Sequence, residues 1–265
     1  MSPAKKRART YDSVKIRAAV TAQFGHVREG VRRLTAEQFA SPTRLGEWTV
    51  RELVAHIGMC VDVVPRLIAL PAPPKPEITL LDWAFGTAAN ASALSEAAHE
   101  LAARNTDPDA SLAATAERLA TALAETPGPR VLDFRTGAII LADFLVTRTV
   151  ELVVHTDDLN AAVPGLDIPH DRQALAACTR LLADALAAKA PGGSTEVRIP
   201  PYAVVQCVEG LRHTRGTPPN VVETDPLTWI RLATGRVAWA DAVEEAQVSA
   251  SGERADLGGL LPVMS

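Results

Sequence analysis

Alanine most restricts what this chain can become. It accounts for 46 of the 265 residues, about one in six, and no residue loses less on entering a helix. Aromatic residues make up 4% of the chain against 47% hydrophobic residues overall. Any core is therefore built from Ala, Leu and Val, and helix is favoured over sheet. That much apolar material excludes wholesale disorder, and the composition excludes collagen-like and disulfide-scaffold chains. At ~150 residues per domain, the length predicts about two domains.

Helical spacing shows where the alanine goes. Residues 11–34 space Val14, Ala18, Phe24, Val27, Val31 and Leu34 along one helix. Thr49-Val-Arg-Glu52 is a capping box opening a second, with Leu53, His56, Ile57, Cys60, Val61 and Val64 on one face. This helix ends at Pro65 or at the Pro71–Pro76 stretch, which supports neither helix nor ladder. Helical patterns follow over 88–103 and 109–125, then over a long helix from about Gly137 to Ala162, and over 170–190 up to the breaker Pro191-Gly-Gly193. Beyond it the pattern changes. Strands are expected at 196–199, 202–208, 220–224 and 247–251. Asp225-Pro226 opens a helix over Leu227–Thr234, residues 239–245 continue helical, and a short helix closes the chain over 256–261. The expected organisation is a basic disordered tail (1–10), an all-α bundle (11–190) and an α/β lobe (194–265), an α + α/β fold class.

Charge and cysteine narrow the setting. The net charge is −4, yet Lys5, Lys6, Arg7 and Arg9 place four positive charges in the first nine residues, leaving an acidic body. A nucleic-acid binder presents a basic domain rather than a basic tip, so no nucleic-acid partner is expected. Cys60, Cys178 and Cys207 are odd in number and form no CxxC pair, which suits a reducing compartment. Neither a signal-peptide core nor an uncharged apolar run of ~18 residues is present, so a cytoplasmic protein without a membrane span is expected.

Glu151-Leu-Val-Val-His155 is the segment with most chemistry. Residues four apart share a helix face, and along this one Ile140 and Phe144 give way to Thr147, Arg148, Glu151 and His155 before Leu159. A charge on an inward stripe must be paired, hydrogen-bonded or metal-bound. His56 sits on the apolar face of the second helix, where it would oppose the pair across a bundle core. Two imidazoles and one carboxylate leave zinc an open fourth position. Spacing alone is equally satisfied by an ordinary Glu–His pair. Cys60, four residues after His56, is either a further ligand or a small buried hydrophobe. Asp158 is either a partner orienting His155 or, like Asp157, a solvated acid near a helix end. Arg148 is a catalytic candidate that steadies Glu151 or binds a substrate carboxylate, against a plain rim ion pair. Arg212, His213 and Arg215 form a basic loop, in which Arg215 is a catalytic candidate and Arg212 and Arg215 are candidates for holding an acidic thiol. His26, His99 and His170 lack partners at useful spacing, and Trp48, Trp83, Trp229 and Trp239 are taken as packing residues. The chain has no GxGxxG, GxxxxGK[ST], GxSxG or HExxH, which argues against Rossmann, P-loop, α/β-hydrolase and zincin chemistry.

Two segments, GEWTVRELVAHIG (46–58) and RTVELVVHTDDL (148–159), resemble the signatures of the mycothiol-dependent maleylpyruvate isomerase family, a branch of the DinB-like metal-binding bundles. The resemblance implies an up-down four-helix bundle with His56, Glu151 and His155 as metal ligands. It also implies a divalent metal (zinc first, nickel or iron as alternatives) and mycothiol as thiol cosubstrate. The chemistry implied is isomerisation of, or S-transfer to, a small electrophile. Residues 225–264, with Asp225, Ala233-Thr-Gly235, Arg236 and Ser251-Gly252, resemble the sterol-carrier-protein lobe that often follows this bundle. That lobe keeps a second reading open, a carrier of lipid or another small ligand beside a non-catalytic bundle. A third is a DinB-like protein whose metal is structural and closed by Cys60. Monomer and homodimer are both compatible with the sequence.

Overall fold

The computed structural model describes residues 9–87, 91–210 and 218–264. Helix α1 (Ser13–Val31) starts where the Asp12 carboxylate accepts the Lys15 N–H at 2.9 Å. A short α2 (Ala36–Phe39) precedes α3 (Val50–Ala69), whose capping box forms as expected, Glu52 Oε2 accepting the Thr49 N–H at 2.9 Å. Pro65 does not end α3. The helix runs four residues further, forgoing the hydrogen bond the missing N–H would have made. After α4 (Leu80–Phe85) and α5 (Ala91–Arg104), α6 (Pro108–Glu125) begins with Asp107 as cap and Pro108 in the first turn.

The long helix expected from Gly137 begins later. Strand β1 (Val131–Phe134) pairs antiparallel with β2 (Gly137–Ile140), and α7 spans Leu141–Ala162. Gly137 sits at φ +133°, a conformation that favours glycine, and Ala138 O accepts the Glu77 and Ile78 N–H groups at 2.7 and 3.1 Å. β1 holds the four residues in a ladder, and the Ala138 carbonyl is already taken, so no helical turn forms there. The last helix of this half, α8 (Arg172–Lys189), follows the Asp171 cap.

Helices α1, α3, α6 and α7 pack around a common core in which Phe24, Leu53, Ile57, Leu119, Phe144, Leu145 and Leu152 are fully buried. Two helix ends are closed by arginines from elsewhere. Arg130 reaches the Ile68 (2.9 Å) and Leu70 carbonyls beyond α3, and Arg17 reaches Leu123 and Thr126 (2.9 Å) beyond α6. Buried Gln23 ties three elements together, donating to Thr156 Oγ1 at 3.0 Å and accepting the Asp171 N–H at 2.6 Å.

Helix α8 packs on α1 and α7 on one side and on the C-terminal lobe on the other. The lobe is a four-stranded sheet of β3 (Thr195–Ile199), β4 (Ala203–Cys207), β5 (Val221–Thr224) and β6 (Val248–Ser251), in the order β4-β3-β5-β6. β3 and β5 run parallel and the other pairs antiparallel. Val197, Ile199, Val205, Cys207 and Val222 point inward, the alternation a half-buried sheet requires. Helix α9 (Pro226–Ala233) is capped by Asp225, which accepts the Leu227 N–H at 2.9 Å, and α10 spans Trp239–Glu244. The closing helix shortens to one 3₁₀ turn, Gly258–Leu260.

Of the basic tail, residues 1–8 lie outside the described residues, while Arg9 pairs with Asp184 of α8 at 2.8 Å. Among the described residues no helix is long and apolar enough to cross a membrane.

Candidate metal centre

Helices α3 and α7 cross so that His56 of one faces Glu151 and His155 of the other. His56 Nε2 lies 3.5 Å and His155 Nε2 3.4 Å from Glu151 Oε2, and the two rings meet edge to face with centroids 4.8 Å apart. Both imidazoles are buried, at 5% and 8% exposure. Cys60, one turn below His56, brings Sγ to 3.2 Å from Nε2. His56, Cys60 and Glu151 form a compact trio, with one donor atom from each all within 4.8 Å of one another. His155 touches this trio through Glu151.

The donor set fits a divalent metal. Asp158 Oδ2 lies 2.8 Å from His155 Nδ1. A carboxylate there accepts the Nδ1–H, which leaves the Nε2 lone pair facing Glu151. A proton or a metal cation between Nε2 and Oε2 satisfies both atoms, and the His–Glu–His chemistry suits a divalent ion. Burial opposes ionisation of Glu151, but His155, His56 and Arg148 hold its carboxyl well below the usual range. Burial likewise opposes charge on His56, yet Cys60 and Glu151 beside it push its pKa up to about 10, so without metal a proton stands in. His56 Nδ1 is buried with no hydrogen-bond partner among the described residues.

Arg148 lies behind Glu151 rather than before it. At 5% exposure it donates to the Cys60 carbonyl (3.2 Å) and Thr147 Oγ1 (3.0 Å), approaches Glu151 Oε1 at 3.8 Å and stacks on Phe144. Arg212, His213 and Arg215 lie outside the described residues.

The site forms the floor of a cavity of about 410 Å³. Leu45, Trp48, Leu94, Val150 and Val154 wall it from the bundle, and Thr234, Arg236 and Met264 roof it from the lobe. Trp48, expected only to pack, lies over His56 with centroids 5.1 Å apart while its Nε1–H donates to Ser95 at 2.9 Å.

Asp157 and Asp158 are buried, at 4% and 0% exposure, and are not solvated acids. Arg44 bridges both, its Nε 2.6 Å from Asp158 Oδ1. Arg231 of α9 grips Asp157 through Nε (2.9 Å) and Nη2, and Arg236 grips Asp158 at 3.1 and 3.3 Å. Burial works against both charges, but His155 and Arg236 lower the Asp158 pKa, and Arg231 and Arg44 that of Asp157. One of these carboxylates orients a candidate ligand, and both fasten the lobe to the bundle.

Residues 20–160 match the family described as the mycothiol maleylpyruvate isomerase N-terminal domain. The chain belongs to this family. The mycothiol maleylpyruvate isomerase signature thus covers α3 and α7, the two helices that carry the donor set, and residues 171–263 match a second family, described as a bacterial SCP ortholog. The fold agrees with that of a crystal structure of the mycothiol-dependent maleylpyruvate isomerase (TM-score 0.58, 17% identity), covering 93% of this chain and 95% of that one. A histidine-to-alanine mutant of the mycothiol-dependent isomerase gives a TM-score of 0.56 at 18% identity with the same coverage. No curated protein matches the sequence.

Arg44, Arg231 and Trp48 were missed as site-supporting residues. Arg44 and Arg231 have no local signal, since their partners lie 74 to 114 residues away. Trp48, directly before the capping box, had one: a large ring at a helix entry lies over the first inward turns of that helix.

Proposed function

We propose that this protein is a divalent-metal-dependent enzyme that activates a mycothiol-like low-molecular-weight thiol for isomerisation of, or S-transfer to, a small electrophilic substrate. The observation that carries this is the convergence of His56, Glu151 and His155 at the floor of a lobe-roofed cavity. A divalent ion there, zinc by preference and nickel or iron by the same imidazole chemistry, would lower the thiol pKa and supply a thiolate near neutral pH.

The chain's own residues do the rest. Asp158 holds the Nδ1–H of His155 so that Nε2 is free to coordinate. Arg148 fixes Glu151 from the buried side, acting through that carboxylate rather than on substrate. Leu45, Trp48, Val150 and Val154 give the cavity an apolar wall beside the donor set, against which the electrophile would lie. Arg212 and Arg215 are assigned the acidic groups of the thiol, and Arg215 a contact to the reacting substrate. The reducing cytoplasm is the setting in which such a thiol is available.

Metal analysis of untagged protein tests the reading, with an equimolar divalent metal expected and His155→Ala losing most of it. Thiol-dependent consumption of a small electrophile should follow the metal content. Absence of stoichiometric metal, or an unchanged content in His155→Ala, overturns the proposal.

A further inference from the structure

We propose that the Cys60 thiolate is itself a ligand in the resting site and that the incoming thiol displaces it. This rests on the metal reading above and adds a protein sulfur to the His–Glu–His set.

The geometry points to Cys60 more directly than to any other side chain near the site. Zinc bonds of ~2.0–2.2 Å to nitrogen or oxygen and ~2.3 Å to sulfur, set at tetrahedral angles, place neighbouring donors about 3.3–3.6 Å apart. His56 Nε2 to Glu151 Oε2 at 3.5 Å and His155 Nε2 to Glu151 Oε2 at 3.4 Å match edges of such a shell, and Cys60 Sγ to His56 Nε2 at 3.2 Å lies just under one. The trio that closes within 4.8 Å contains Cys60, not His155. Cys60 also needs no backbone adjustment, because it lies four residues from His56 on the same face of α3.

The other two cysteines show what an inert thiol looks like here. Cys178 and Cys207 are buried where desolvation pushes both thiols up, Cys207 to about 11. Cys60 instead lies against an imidazole, with the Arg148 guanidinium on its carbonyl.

Displacement balances without a redox partner. The incoming thiol gives its proton to Cys60, which leaves as a neutral thiol while the new thiolate takes its place. One thiolate is held before and after, and the net charge is unchanged. Cys60 thereby closes the site at rest and accepts the proton when substrate arrives.

Cobalt(II)-substituted protein tests this. Thiol-free wild type should show the near-ultraviolet thiolate-to-cobalt charge-transfer band. Cys60→Ser and Cys60→Ala should bind cobalt without it. Adding 2-mercaptoethanol should create the band in both variants and leave the wild-type intensity at one thiolate. A wild type that binds cobalt without the band, or a band surviving in both variants, overturns Cys60 ligation. A doubled wild-type intensity overturns displacement. Failure of the wild type to bind cobalt overturns the metal reading itself, a result distinct from the others.

Discussion

The two histidines of the centre are held in opposite ways. His155 is fixed from outside its helix turn: Asp158 takes its Nδ1–H, Arg44 and Arg236 hold Asp158, and Arg236 belongs to the lobe. His56 is held by the α3 backbone, the Trp48 ring and Cys60, with Glu151 of α7 facing its Nε2, and its Nδ1 has no partner among the described residues. The orientation of one candidate ligand thus depends on the docked lobe, and that of the other on contacts within the bundle. A metal site built this way is sensitive to lobe docking on one side only.

The largest effect of a substitution that separates the two is expected at Asp158. Asp158→Asn removes the charge that sets the His155 tautomer, and zinc affinity should fall about 10- to 100-fold by competition titration. An unchanged affinity would break the comparison by making His155 as self-sufficient as His56. Next comes the lobe clamp. Arg231→Met leaves buried Asp157 with Arg44 alone, and stability should drop by about 1–3 kcal/mol in urea unfolding. Zinc affinity should then weaken in step, through the neighbouring Asp158.

The effect of pH at His56 is read on a separate scale, per pH unit. Its pKa in the metal-free protein is raised from 6.5 to about 10. The protonated form therefore adds stability that is fully present below 6.5 and is lost as pH rises through 10. Metal must displace that proton, so affinity should climb about tenfold or more per unit from pH 7 to 10. A flat profile over that window would show His56 already neutral and bring the two histidines closer in character.

How much was legible before the fold depended on the range of the signal. The capping box at Thr49, the breaker at Pro191-Gly-Gly193 and the inward Glu151/His155 pair are local patterns, and each was readable. The β1–β2 hairpin was not: its pairing is local, Val131–Phe134 against Gly137–Ile140, but the apolar spacing of 137–140 continues that of α7, and the Glu77 and Ile78 N–H groups that take the Ala138 carbonyl come from sixty residues earlier. Asp157 read as a solvated acid and Asp158 left that reading open beside the His155 partnership, because the arginines that bury them lie 74 to 114 residues away.

The sequence by itself determined most of the helices, the helical part followed by an α/β lobe, and the donor types that share the inner faces of α3 and α7, since helical period and residue chemistry act within a few turns. Only the tertiary structure decided that Glu151 faces His56 across the core and that Arg44, Arg231 and Arg236 bury two carboxylates. Those contacts need chain segments brought together across as many as 114 residues, and the Arg231 and Arg236 pairs exist only once the lobe is docked.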